Sequence, residues 1–580
     1  MNKRLLLPFS VALLIVGWML YMWLVPSPAD AVYVGGRIFT MDEDFGIVEA
    51  MAVREGRIVA TGSVSSIRRS YTAPVEVDLA GRTVLPGLID AHAHFVSLGI
   101  ARMTVDLFGV ESLEEASRRV EERVRRSSAG QWVRGRGWDQ NLWLTKRFPH
   151  HRVLDRVAPS NPVVLGRVDG HAVWVNRRAM EIAGITRQTP DPPGGRIVRD
   201  EAGEATGVFV DNAKQLIASH VPPTTRAEIE EAMLLAQEEC LSLGLTGVHD
   251  MGVDTMDLAA YKSLIDSDVL KMRIYAAVGG PGVTWDRFKA SGRMIGYGND
   301  RLTVRALKLY ADGALGSRGA ALIEPYADDP DNRGLTVTSE QELSASVSEA
   351  IAHGFQVCTH AIGDRANNIV LNVYEHALAA ADSRDRRLRV EHAQILHPDD
   401  IGRFAPLKVI PSMQPTHCTS DMYWAEARLG PERLRGAYAW RSLLATGVII
   451  PCGSDFPVEL PSPLLGIYAA VTRRDREGKP RSAADLGNSF QLSEAGIVDP
   501  SVFEGGWHAN ERMTLEEVLR GYTIWAARAA FEEKIKGSLE VGKLADFIIL
   551  SSAFSEESSA DILTTKVEAV YIGGRKVFTR

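Results

Sequence analysis

Cysteine is scarce: Cys240, Cys358, Cys418 and Cys452 are the four in 580 residues, and they lie far apart. That spacing excludes a disulfide framework or a thiolate zinc site of the C-x-x-C kind and leaves them as core residues. Basic excess is missing as well. With 65 Lys and Arg against 73 Asp and Glu the formal net charge is −8, which excludes a broad cationic face and, with it, nucleic acid as the main partner. Nor is the chain short of apolar residues: 45% are hydrophobic and 24% charged, the balance of a folded protein with a sizeable core. What remains is a small-molecule partner. A chain of this length exceeds one ordinary core, but a barrel with insertions absorbs most of it.

One long apolar run is present, at residues 5–25, directly after Lys3 and Arg4. It is long enough to span a bilayer. The positive flank orients the N-terminus inward, so the expectation is an N-terminal transmembrane helix with the rest of the chain on the periplasmic or extracellular side. The triplet ADA at 29–31 resembles a signal-peptidase site, which makes a cleaved secreted form the alternative.

After this run, AVYVGGRIFT (31–40) reads as strand, Gly-Gly turn and strand, and AVYIGGRKVFT (569–579) repeats it at the far end. Two matching hairpins predict one small β-sandwich domain assembled from both ends. Between them, eight apolar strand candidates alternate with helical stretches: 84–90, 246–250, 272–278, 303–310, 356–360, 388–392, 408–414 and 448–454. The helical patterns include 226–243, 339–353 and 367–381. This alternation predicts an α/β fold, a (β/α)8 TIM-like barrel. The expected divisions are an anchor or signal segment at 1–31, the β-sandwich at 32–84 and 535–580, and the barrel at 85–534, with an inserted subdomain at about 100–225 roofing the pocket.

The barrel's chemistry is expected at the strand ends. In LPGLIDAHAH (85–94) a buried strand runs into His92 and His94, and residues two apart in an extended chain point to one side. Lys308 sits inside an apolar strand, where a free ammonium is costly, so it must be paired, neutral or chemically altered. His360, His392 and Asp455 end three later strand candidates. His, His and Asp from separate strands, added to the H-x-H pair, match the nitrogen and oxygen demands of zinc or a similar divalent ion and point to a metal hydrolase. Glu391 precedes a ligand candidate and faces away from it by alternation.

Several motifs then resemble the amidohydrolase superfamily, in the wording of amidohydrolase family 3, which includes N-substituted formamide deformylases. They are LPGLIDAHAH (85–94), DGHAVWVN (169–176), VHDM (248–251), KLYADG (308–313), THAIGD (359–364), EHAQ (391–394), GSDFP (453–457) and GKLADF (542–547). The resemblance implies that His92 and His94 hold one metal, that His360 and His392 hold a second, and that Asp455 binds the first and acts as catalytic base. It implies a carboxylated Lys308 bridging two zinc ions, or one ion if Lys308 is unmodified. The implied reaction is hydrolysis of a non-peptide carbon–nitrogen bond, amide, N-acyl or N-formyl, by attack of a metal-bound hydroxide. A deaminase on the same scaffold is the alternative, and an inactive membrane-anchored binding protein the third. Candidate substrate contacts are Trp138, in GRGWDQNLW (135–143), with His171, Asp312, His249 and His417. For Trp138 packing and substrate contact both stay open. The sequence leaves a homodimer open.

Overall fold

The computed structural model describes residues 26–167, 172–192, 195–316, 318–480, 505–552 and 559–580. Val96–Ala236 forms one compact unit, and the described residues before and after it form the other.

The larger unit is built on a parallel sheet of seven strands in sequence order: β1 Leu88–Ala93, β2 Leu245–Val253, β3 Arg273–Gly279, β4 Leu302–Tyr310, β5 Gln356–Ala361, β6 Arg389–His392 and β7 Ile410–Ser412. Each pairs in parallel with the next. They are almost wholly buried, including polar residues such as Lys308, Arg389 and Glu391 that point into the barrel rather than out to water. Between β4 and β5 runs the helix Glu340–Ala352, started by a capping box of Ser339 and Glu342, and between β5 and β6 the helix Asp364–Ala380.

The eighth strand expected at 448–454 is not a regular strand. Instead, this segment carries a few backbone hydrogen bonds on each side. Met413 N donates to Pro451 O and Gly453 N to Met413 O, each at 3.0 Å, while Ala91 N donates to Cys452 O at 3.0 Å. The barrel is therefore nearly closed, with a seam where a strand was expected. Pro451 has no N–H to give to a ladder, and Asp455 turns into the left-handed region at φ 60°, so regular pairing stops there.

Both ends of the described chain meet in one sheet of eight strands. Ala31–Phe39, Ile47–Arg54, Arg57–Gly62, Val75–Asp78 and Thr83–Pro86 join Phe547–Leu550, Val567–Ile572 and Arg575–Thr579. Tyr33, Met51, Phe547 and Tyr571 pack one core, and Val32, Val34 and Ala50 pack another with Ile67. The first strand expected at 84–90 is divided between two sheets. Thr83–Pro86 pairs with Phe547–Leu550, and after Gly87 the chain enters β1. A Cβ at Gly87 would meet Thr246 Oγ1 at 2.2 Å, so only glycine fits at the crossing.

The expected transmembrane helix is corrected. Among the described residues no helix is long and apolar enough to cross a membrane, and the run at 5–25 that suggested one lies outside them. Membrane anchoring, and the location outside the cytoplasm inferred from it, therefore have no support in the structure.

Candidate metal centre

His92 is the fifth residue of β1 and His94 follows the strand's last residue, so alternation sends both side chains to one side. His92 is fully buried, while 28% of the His94 side chain is exposed. Asp455 reaches them from the closing seam: its Oδ1 lies 3.2 Å from His94 Nε2 and 3.5 Å from His92 Nε2.

A left-handed backbone costs a non-glycine residue about 1–3 kcal/mol and persists only where its surroundings impose it. At Asp455 they do. Its N–H donates to His92 O at 2.8 Å. Asp90 accepts from His92 N and Ser454 N, both at 3.1 Å, and from the Ser454 hydroxyl at 2.6 Å. Gly453 permits this approach, since a Cβ there would lie 2.6 Å from His92 N and 2.7 Å from Asp90 Oδ1. Burial pushes the Asp90 carboxyl up to about 7, against the pull of these donors.

The later strands bring in the other half. His360 lies in β5, and His392 ends β6 with φ 74°, which turns it out of the strand's alternation. The His392 ring centroid is 4.6 Å from those of both His92 and His360. Lys308, buried in β4, places Nζ 3.4 Å from His92 Nε2 and 4.9 Å from the Tyr310 ring centroid. Burial lowers its pKa from the ordinary lysine value, opposed by the charges of Glu391 and Asp455. His417 stands 3.8 Å from Asp455 Oδ2 and stacks on His392 at 6.0 Å.

Every one of the four ring systems has one nitrogen facing an oxygen acceptor. His92 Nδ1 faces Glu391 Oε2 at 2.7 Å, His94 Nδ1 faces Met251 O at 2.9 Å, His392 Nδ1 faces Gln414 Oε1 at 2.7 Å, and His360 Nε2 faces Gly313 O at 3.4 Å. An acceptor there assigns the ring proton to that nitrogen and leaves the lone pair on the other. Burial, then the charge of Lys308, brings His92 down to about 4 and His360 to about 3. His392 is pushed well below the usual range by burial and by His360 and His92. Burial thus favours the neutral form of His92, His360 and His392.

Other sequence candidates fall elsewhere. Trp138 is fully buried in the core of the unit Val96–Ala236, packed with Trp143 and Trp174, and its indole N–H donates to Leu165 O at 2.8 Å. It is a core residue, not a substrate contact. His249 is fully buried, with Nδ1 accepting from Arg389 at 2.9 Å, so it does not line a pocket. Asp312 uses its carboxylate on three backbone donors, Ala321 N, Ile362 N and Gly363 N, at 2.8, 3.0 and 2.8 Å. That makes it a loop anchor. His171 lies outside the described residues. Of the described histidines among these candidates, His417 joins the cluster and His249 does not.

Asp90, Gln414 and Arg389 were missed. Asp90 shares the period-two face of His92 and His94, a signal the sequence did carry. Arg389 and Gln414 act across the barrel, where no local pattern points.

A family model described as the amidohydrolase family matches residues 75–578. The chain belongs to that family. This amidohydrolase is 36% identical to Protein LONG AFTER FAR-RED 3 of Arabidopsis thaliana over 95% of this chain and 92% of that one. It is 27% identical to N-substituted formamide deformylase of Arthrobacter pascens, over 94% of this chain and 97% of the relative. Its structure resembles an uncharacterized metal-dependent hydrolase from Pyrococcus furiosus with TM-score 0.71 and 28% identity, covering 90% of this chain and 99% of that one.

The residues present fit a divalent ion. Potential ligand atoms of His92, His94 and Asp455, and again of His392, His417 and Asp455, lie within 4.8 Å of one another. Asp455 Oδ1 and His417 Nε2 are buried without a hydrogen-bond partner, a state that ordinarily costs about 1–3 kcal/mol per group and that a cation would relieve. Neutral imidazoles and one carboxylate are the donor set that zinc and similar ions take. The amidohydrolase is a metal-dependent hydrolase with these residues as its candidate ligands.

Proposed function

We propose that this amidohydrolase cleaves a carbon–nitrogen bond other than a peptide bond, in an amide, N-acyl or N-formyl compound of small size, with Asp455 as the acid–base residue. In this reading His92, His94 and Asp455 hold one divalent ion and His360 and His392 a second, with zinc as the expected metal. Lys308, carboxylated on Nζ, would supply an anionic ligand to them.

The observation that carries the reading is Lys308. Its amine is buried 3.4 Å from His92 Nε2 and makes no ion pair with a carboxylate among the described residues. A bare ammonium is expensive there; reaction of the amine with carbon dioxide, with loss of a proton, converts it to an anion suited to two cations. A deaminase on this scaffold typically works with one metal, so Lys308 favours amide hydrolysis. The likeness to a formamide deformylase points the same way.

When bound, the ions polarise the substrate carbonyl and give water the strength of hydroxide near neutral pH. The protein's own residues do the rest. In this reading Asp455 is ionised: burial opposes its charge, and the cations it faces would hold the carboxylate form. Its carboxylate accepts the proton of the attacking water and returns it to the departing nitrogen. His417 Nε2, 3.8 Å from Oδ2, is too far away to hydrogen-bond the carboxylate and stays a candidate ligand.

The test is a screen of the full, metal-loaded chain against N-formyl and N-acyl amines, reading the acid and amine released. Turnover of a member of this set is expected. Ammonia released from amino-heterocycles, with no amide cleaved, would favour deamination.

A further inference from the structure

The four histidines do not have equivalent partners. His94, His392 and His360 face neutral oxygens, those of Met251, Gln414 and Gly313. His92 is the one of the four whose outward nitrogen is hydrogen-bonded to a carboxylate, Glu391 Oε2 at 2.7 Å; Asp312 Oδ1 is 3.6 Å from His360 Nε2, beyond hydrogen-bond distance, and accepts instead from Ile362 N.

That carboxylate is fixed. Arg389 and Glu391 lie two apart on β6 and share a face, and both are fully buried. Arg389 Nε lies 2.7 Å from Glu391 Oε1, and Nη2 donates to Oε2 at 3.0 Å. The guanidinium is in turn anchored by Ala91 O at 2.6 Å, Ser412 Oγ at 2.9 Å and His249 Nδ1 at 2.9 Å. Glu391 therefore has no freedom to turn away from His92.

A carboxylate behind an imidazole fixes the ring's tautomer and angle and raises its strength as a donor, more than a neutral amide or carbonyl does. We infer that Glu391, clamped by Arg389, is a positioning residue that makes the two halves of the centre unequal: the His92 half takes a divalent ion first and holds it more tightly than the half built on His360 and His392. The inference rests on the two-ion reading above.

Cobalt(II) titration of the metal-free full chain, followed by visible absorption and equilibrium dialysis, tests it. Two separated steps are expected, with the first ion bound at least about tenfold tighter. Glu391→Gln should weaken the first step about 10–100-fold and shift its absorption bands, with circular dichroism unchanged, and Glu391→Asp should recover part of the loss. Gln414→Glu, which gives His392 an anionic partner, should tighten the second step and narrow the gap; this variant decides the matter if Glu391→Gln does not fold. Equal steps in the parent chain, an unchanged first step in folded Glu391→Gln, or an unmoved second step in Gln414→Glu would overturn the inference and leave the two-ion reading standing. Uptake of a single ion, or of none, would overturn both.

Discussion

The backbone N–H of Asp455 donates to the carbonyl of His92 at 2.8 Å, so the acid from the closing seam is hydrogen-bonded to the histidine of the first strand. Two ligand candidates that are far apart in the chain are thus held in one frame. The frame is made of backbone and of Asp90, and it does not depend on the side chains that would do the chemistry.

From this separation, Asp455→Asn should remove turnover by a factor of about 10²–10⁴, the range for loss of a positioned acid or base, while the melting temperature hardly changes. Steady-state rates and a thermal melt on the same preparation check it. Near-parental turnover in the folded variant would remove Asp455 from the reaction.

Gly453→Ala should behave in the opposite way. Its Cβ would sit 2.6 Å from His92 N, and a backbone atom cannot move aside cheaply, so the cost is about 1–3 kcal/mol or more. Both the melting temperature and metal uptake should fall. A variant as stable as the parent would mean that the seam is not tightly packed.

On the two-ion reading Lys308→Ala should keep one ion of the two, and added short carboxylic acids should restore part of the second ion and of the activity. Metal content by elemental analysis reads the result. Two ions retained in the variant would remove Lys308 from the centre.

The buried histidines set a pH dependence. His92 is held to about 4 and His360 to about 3, whereas an unfolded imidazole titrates near 6.5. Between these values the unfolded chain binds protons that the folded chain refuses, so stability falls as pH drops from about 6.5 towards 4, by about 1.4 kcal/mol per pH unit for each such group. Above about 6.5 the contribution is fully present. Asp90, raised to about 7, contributes the opposite slope, so the check is the difference in urea midpoint between the metal-free parent and His92→Asn: the parent should lose stability relative to the variant as pH falls, and a constant difference would contradict it.

Much of the centre was legible because its residues obey local rules. Period two in the first strand paired His92 with His94, and apolar runs ending in His or Asp located His360, His392 and Asp455. The same rule would have found Asp90. What escaped was non-local. Alternation was expected to turn Glu391 away from His392, but nothing near it in sequence shows that it meets His92, 299 residues earlier. The eighth strand was misread because an apolar run does not reveal that Pro451 lacks a donor and that Asp455 leaves extended backbone. Trp138 sat in a distinctive motif, and composition cannot tell a packed indole from one that meets substrate. Hydropathy alone suggested a membrane anchor at residues 5–25, and no helix among the described residues bears that out.

Metal dependence of amide cleavage tests the account most directly. The full chain, stripped of metal with a chelator and then reloaded with zinc, should lose and regain release of acid and amine from an N-formyl or N-acyl substrate, in step with the metal bound. Cleavage that continues undiminished in chain shown by elemental analysis to hold no metal would contradict it.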